Sequence, residues 1–206
     1  MVFSSALIED AVNEFSTLPG IGKKTALRLV LHLLRQEEQS VKQFTETIYK
    51  MRKEIRFCRN CGNVSDGEIC SICANPSRKR DVVCVVENIR DVMAIENTGQ
   101  YHGVYHVLGG VISPLDGISP EELNIASLID RVNSNKITEI IMAISPTIEG
   151  DTTIFYLSQR MKDHSLKITT IARGIAFGGE LEYADEMTLS RSLTNRLPMD
   201  RYVKNK

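Results

Sequence analysis

The sequence predicts an α+β protein of several modules. These are a helical N-terminal part, a four-cysteine metal knuckle, an α/β part with a mainly parallel sheet, and a less regular C-terminal tail carrying one helix. Three observations predict this. Before residue 57 the apolar positions recur at helical spacing. Cys58, Cys61, Cys70 and Cys73 form two CxxC pairs with eight residues between them. After residue 80, short β-branched runs alternate with helical stretches, the pattern of a sheet with crossover helices. A chain of 206 residues has room for a sizeable core and more than one domain. The module limits read as 1–56, 57–80, 81–176 and 177–206.

Three helices are expected in the first module. Leu7, Ala11 and Phe15 mark one from about Ala6 to Phe15, and a dense apolar run marks a second from Lys24 to Leu34. The third, Val41 to Phe57, carries Val41, Phe44, Ile48, Met51 and Ile55 in steps of three and four, a narrow seam that wants a partner. After the cysteines, Asp81–Glu87 is too short for a buried helix and reads as a strand covered on both faces. A helix from Asn88 to Asn97 follows, capped by Asn88 and stopped near Gly99. Further strands are expected at Tyr105–Leu108, Glu139–Ile144 and Leu166–Ile171, and further helices at Pro120–Val132, Asp151–His164 and Asp185–Asn195.

Composition narrows the function classes. Hydrophobic residues are 42% and charged residues 25%, an ordinary globular balance. No run of 18 apolar residues occurs, so a membrane helix is not expected. Met1–Asp10 lacks a basic region followed by an apolar stretch, which argues against a secretory signal. Aromatic residues are 6% and Trp is absent, which argues against a large aromatic ligand pocket. The net charge is −1, but it is uneven. Residues 1–80 carry 13 Lys and Arg against 9 Asp and Glu, whereas residues 81–206 carry 12 against 17. The basic front is the half suited to a polyanion.

The strongest chemical signal is the cysteine cluster. In a reducing compartment, paired CxxC turns read as metal ligands rather than disulfides. Two such turns complete a tetrahedral set of four thiolates with no open position, which suits one structural Zn2+ per chain; an iron–sulfur cluster is the other group such thiolates hold. Cys84 lies among Val82, Val83, Val85 and Val86 and reads as a small buried hydrophobe.

The second signal is Leu18–Ala26, between the first two helices. Gly20 and Gly22 permit a tight turn and a close backbone approach, and the turn opens a helix whose first N–H groups and dipole favour an anion. Lys23, Lys24 and Arg28 stand where a phosphate would need counter-charge. This resembles the helix-hairpin-helix, which grips the DNA backbone without reading bases, so binding is expected to be sequence-independent.

The third signal lies at the strand ends. Glu87 ends one strand and Ser145–Asp151 follows another, placing both at the carboxyl edge of the sheet. The arrangement resembles the Toprim domain of topoisomerases and primases, whose catalytic members hold Mg2+ with a Glu and a DxD. Here the DxD positions are Ser145 and Thr147, so both carboxylates are missing. Glu149 and Asp151 remain, at a helix start where negative charge is itself stabilising. A Mg2+-dependent Toprim nuclease or primase is the competing reading, and the missing acids count against it. His32 reads as a packing residue on an apolar helix, and His164 as the residue that ends a helix.

A hairpin with LPGIGKK, then the C-x2-C-x8-C-x2-C knuckle, then SPTIEGD, in this order and over essentially the whole chain, is similar to the RecR family of bacterial recombination mediators. The stretches Cys70–Pro76, Ser113–Gly117 and Gly178–Glu182 fit the same pattern. The resemblance implies a non-enzymatic role in homologous recombination and DNA repair, in the bacterial cytoplasm at the nucleoid. It implies a ring-like tetramer that clamps DNA and works with RecO and RecF to load recombinase on single strands. It places zinc on Cys58, Cys61, Cys70 and Cys73, DNA contacts on Lys24 and Arg28, and a protein-partner surface at Glu87, Glu149 and Asp151. Lys23 stands where many relatives have Pro, and Ser145 where Asn is frequent.

Overall fold

The computed structural model describes residues 4–134, 137–176, 178–196 and 198. Of the expected C-terminal segment, residues 177, 197 and 199–206 lie outside the described residues. The chain forms two compact units, Met1–Ile55 and Arg56–Lys206.

The first unit holds helices α1 (Ala6–Ser16), α2 (Lys23–Leu34) and α3 (Glu38–Glu54). Its core is Val12 of α1 against Ala26 and Val30 of α2, ringed by Ile8, Ala11, Phe15, Ile21 and Leu27. Ala26 and Val30 are one helical turn apart, so they form a single inward line on α2. Lys24, Arg28 and His32 form the opposite line. His32 is therefore exposed rather than packed, a correction to the expectation from its apolar neighbours. The third helix begins three residues before its first apolar position, because the extended Glu37 offers its carbonyl to the N–H groups of Ser40 and Val41. It stops at Glu54, where Ile55 turns extended. No residue of α3 is buried, and Phe44, Ile48 and Met51 are 44%, 47% and 53% exposed. Of the seam read from the sequence, Phe44, Ile48 and Met51 are thus uncovered, while Val41 is partly buried and Ile55, also partly buried, lies past the helix end.

The second unit opens with a small hairpin, β1 (Arg56–Phe57) with β2 (Val64–Ser65), and the short helix α4 (Ser71–Ala74). The sheet and its helices follow as β3 (Lys79–Val86), α5 (Ile89–Glu96), β4 (Gly103–Val107), α6 (Ile125–Ser134), β5 (Glu139–Ala143), α7 (Ile148–Arg160), β6 (Lys167–Thr170) and α8 (Glu186–Thr194). The strands lie in the order β4-β3-β5-β6, every pair parallel. Alternate residues of β3 serve opposite faces. Val83 and Val85 pack with Leu128 and Val132 of α6 and Leu157 of α7, while Cys84 and Val86 pack with Val92 of α5. This two-sided burial explains the unbroken β-branched run. Cys84 is buried as expected, and burial pushes its thiol up to about 12.

Capping decides where the helices depart from the expected limits. Asn88 starts α5 as expected, in a reciprocal cap with Asp91. The stretch expected as one helix from Pro120 breaks in two: Pro120–Glu122 is a 3-10 turn, Leu123 is extended, and α6 starts at Ile125. In α7, Thr147 accepts a hydrogen bond from the Gly150 N–H at 3.0 Å and starts the helix three residues early. That helix ends at Arg160, so His164 lies beyond it.

Two arginine clamps tie the sheet to what precedes it. Arg78 pairs with Glu96 and also donates to the carbonyls of Tyr101 and Gly103, while the Tyr105 hydroxyl donates to Glu96 at 2.7 Å. Arg78 holds the Glu96 carboxyl below the usual range. On the outer side of β4, the Val107 N–H donates to the Cys61 carbonyl at 2.7 Å, and Arg131 of α6 donates to the carbonyls of Asn60 and Tyr105.

Candidate metal centre and nucleic-acid interface

The cysteine knuckle is built by two tight turns. The N–H groups of Cys61 and Gly62 return to the Cys58 carbonyl, and the Ala74 N–H returns to that of Cys70. Each turn aims its two sulfurs inward, and Ile69 and Ile72 pack against the set. All four thiols are buried, and their sulfurs lie within 4.8 Å of one another. The Cys61 and Cys70 sulfurs are 3.6 Å apart. A tetrahedron with Zn–S bonds of about 2.3 Å has edges of about 3.8 Å, so the residues fit one structural zinc. The thiols also show why a cation belongs there. Donation to Cys73, then burial, pushes Cys61 up; burial pushes Cys70 up; Cys73 is drawn down to about 6, first because Cys61 donates to it. Such a set shares its protons until a dication allows every sulfur to ionise.

At the corner between α1 and α2, Gly20 has φ +78°, the left-handed region that disfavours a side chain. Gly22 differs: it is extended at φ −81°, and a Cβ there would meet nothing within 4 Å. Its contribution is an open approach rather than backbone freedom. Gly22 also gives α2 no side-chain cap, so the first N–H groups of that helix stay available. Lys23, Lys24 and Arg28 are exposed. A depression of about 410 Å3 is lined by Lys24, Leu27, Arg28, Leu31, His32 and Arg35. Sequence reasoning names Lys24 and Arg28; Arg35 extends the same cationic stripe and His32 lies along it, and the signal for them is the continuing steps of four and three.

The strand ends meet as expected. Neighbouring β3 and β5 bring Glu87 beside Ser145, whose N–H donates to the Glu87 carboxylate at 2.5 Å. This is the point where the strand order reverses, the usual crevice of such sheets. Gly150 packs so close that a Cβ would stand 2.0 Å from the Ser145 carbonyl oxygen. Thr147 is used as the cap of α7, and the Glu149 carbonyl accepts from the Thr153 hydroxyl. Asp151 is ion-paired: Arg173 donates to it at 2.5 Å and Arg191 at 3.4 Å. The Asp151 carboxylate thus ties α7 to the tail while remaining 41% exposed. These partners lie 22 and 40 residues away, and no local pattern announces them.

Comparison with known proteins matches the chain in four consecutive pieces. The family models are the RecR helix-hairpin-helix over residues 8–52, the RecR four-cysteine zinc finger domain over 55–75, the Toprim domain over 81–172, and the RecR C-terminal model over 174–197. Among curated relatives, the recombination protein RecR of Flavobacterium johnsoniae is 58% identical over 205 residues, covering 100% of both chains. That of Porphyromonas gingivalis is 55% identical over 202 residues, 98% of each chain. That of Bacteroides thetaiotaomicron is 57% identical over 194 residues, 94% of this chain and 95% of the relative.

Proposed function

The chain belongs to the RecR family, and from that premise we propose that it is a non-enzymatic, DNA-binding mediator of homologous recombination and repair. The observation that carries the reading is the cationic stripe on α2, beside helix N–H groups left uncapped by Gly22. Phosphates approach over Gly20 and Gly22 and meet Lys23, Lys24 and Arg28. Contacts of this kind hold any sequence equally. In this reading the molecule assembles through α3 into a tetrameric ring around DNA, so that several weak grips act together. It works with RecO and RecF to load recombinase on single-stranded DNA, in the bacterial cytoplasm at the nucleoid. Glu87, Glu149 and Asp151 belong to a surface for RecO. The module limits are 1–56, 57–80, 81–176 and 177–206.

The strand-end crevice supports the absence of catalysis. Ser145 and Thr147 replace the two acids that Mg2+ would need; the Thr147 hydroxyl oxygen accepts from the Gly150 N–H, and the Glu87 carboxylate accepts from the Ser145 backbone N–H. The testing experiment is DNA binding by the double variant Lys24→Ala/Arg28→Ala across a salt series. The expected result is weaker binding to all sequences, with the log–log salt slope reduced by about 0.7 to 0.9 per lost contact. Parent-like binding at every salt concentration would leave the hairpin as a mere corner.

A further inference from the structure

We infer that the second unit carries its own nucleotide-binding cleft, between the zinc knuckle and α6, with one lobe for phosphate and one for the base. The phosphate lobe is a cavity of about 270 Å3. Arg59, Arg80 and Arg131 line it together with the hydroxyl residues Ser127 and Ser134, and Asp130 is the one acid on that lining. Three arginines from three separate elements thus line one polar hollow. Planar guanidinium forks match phosphate oxygens better than any other side chain. Two of the forks are pre-set by backbone. Arg80 donates to the Cys73 carbonyl at 3.3 Å, and Arg131 donates to the carbonyls of Asn60 and Tyr105. Arg59 pairs with Glu68 at 3.3 Å, but both side chains are 70% exposed, so a phosphate can take over that guanidinium with little loss.

The base lobe is a cavity of about 660 Å3 that shares Arg59, Asn60 and Ser127 with the first. Its rim is Phe57, which is 70% exposed. This ring is held out on β1 beside a zinc ligand, and the Cys58 N–H donates to the Asn63 carbonyl at 2.7 Å. A rigidly mounted, uncovered aromatic is the platform on which a base stacks, and stacking accepts any base. Asn60, Asn88 and Asn124 line the same lobe; the Asn88 Oδ1 already accepts from the Arg90 N–H and the Asn124 Nδ2 already donates to the Val107 carbonyl, so the remaining amide atoms are the ones offered to a base edge. The shared residues Arg59, Asn60 and Ser127 make the two lobes adjoin, as a phosphate and its base require. The nucleotide is a free one or a unit of a single strand; only the second source rests on the DNA-binding reading above.

The test uses full-length, zinc-loaded protein, a labelled oligothymidylate and free thymidine monophosphate as probes. It compares Phe57→Ala and Arg80→Ala, each alone and in the Lys24→Ala/Arg28→Ala background. For a strand unit, Phe57→Ala weakens oligothymidylate binding by roughly tenfold, and Arg80→Ala lowers the salt slope by about 0.7. Both losses persist in the hairpin double variant. For a free nucleotide, thymidine monophosphate binds the parent and loses affinity in the same two variants while the oligomer does not. Zinc content is measured throughout, because Arg80 also holds the Cys73 carbonyl; Phe57→Ala leaves that bond intact. The inference is overturned if both variants keep their zinc and bind both probes like the parent, or if Arg80→Ala acts only through zinc loss and Phe57→Ala has no effect. The hairpin reading fails separately, if the double variant alone binds like the parent.

Discussion

Among the described residues, the helical unit buries Val12, Ala26 and Val30 and nothing else, while the sheet unit covers both faces of β3 from Val83 to Val86. The same chain thus follows two plans. In the sheet unit a large apolar core closes on both faces of the strands, with Phe57, Leu115, Ile148 and Phe155 exposed outside it. In the helical unit Phe44, Ile48 and Met51 stand on the surface of a 17-residue helix. Most helical stability in proteins comes from packing an amphipathic face, and α3 packs little of its own. The lesson is that one unit is a scaffold and the other a set of surfaces mounted on little core.

The sharpest way to break this contrast is to attack the scaffold's metal. Cys58→Ala or Cys73→Ala should abolish zinc retention and melt the knuckle, since metal binding supplies about 10–16 kcal/mol in isolated fingers. Elemental analysis with thermal unfolding reads it. Cys84→Ala, a core change away from the metal, should cost only about 1 kcal/mol and keep the zinc. Zinc-free protein that is still fully folded would end the scaffold argument.

A smaller effect should come from acid. His106 is buried on β4 and its Nε2 faces the Asn124 carbonyl at 2.8 Å. Burial lowers it from the usual 6.5 to about 4. The unfolded chain therefore binds more protons, so this contribution is intact above pH of about 6.5 and is lost as pH falls towards 4, up to about 3 kcal/mol. Denaturant unfolding at stepped pH should show that loss in the sheet unit, and His106→Gln should flatten it. The helical unit buries no titratable group among its described residues. An unchanged slope in His106→Gln would remove the histidine from the account.

The smallest change in fold stability should follow Phe44→Glu and Ile48→Glu. Both side chains are nearly half exposed, so helix content and melting should shift by no more than about 0.5 kcal/mol. Mass by light scattering should nevertheless fall, together with DNA affinity. Variants of parental mass would show that α3 needs no partner copy.

Elements with dense periodic patterns are legible in the sequence: the sheet strands, α1, α2, and α5 with its Asn88 cap. The knuckle's hairpin and α4 are not, because two-residue strands and a four-residue helix carry no period and take their shape from the metal geometry. The start of α7 escapes a reading by hydrophobic spacing because Thr147 acts through a side-chain oxygen. Within the site, the cysteines and the Glu87–Ser145 meeting follow from spacing and strand order. Arg131 reaching Asn60, 71 residues earlier, has no local signature. The exposure of His32 is hidden because apolar neighbours on both sides conceal which face of a helix looks outward.

The bond from Val107 to Cys61 has a consequence for how this protein stays dispersed in solution. Every open sheet ends in two strands whose outward amides and carbonyls invite a foreign strand. One end here is β6, only four residues long and carrying Lys167. The other is β4, Gly-Val-Tyr-His-Val, all buried and without an acid, lysine or arginine. A segment of that composition is an aggregation template when bare. The knuckle occludes it. Chelation would thus uncover a sticky edge before the sheet itself melted, and the cost of losing zinc would be counted in fibrils and precipitate as much as in lost stability.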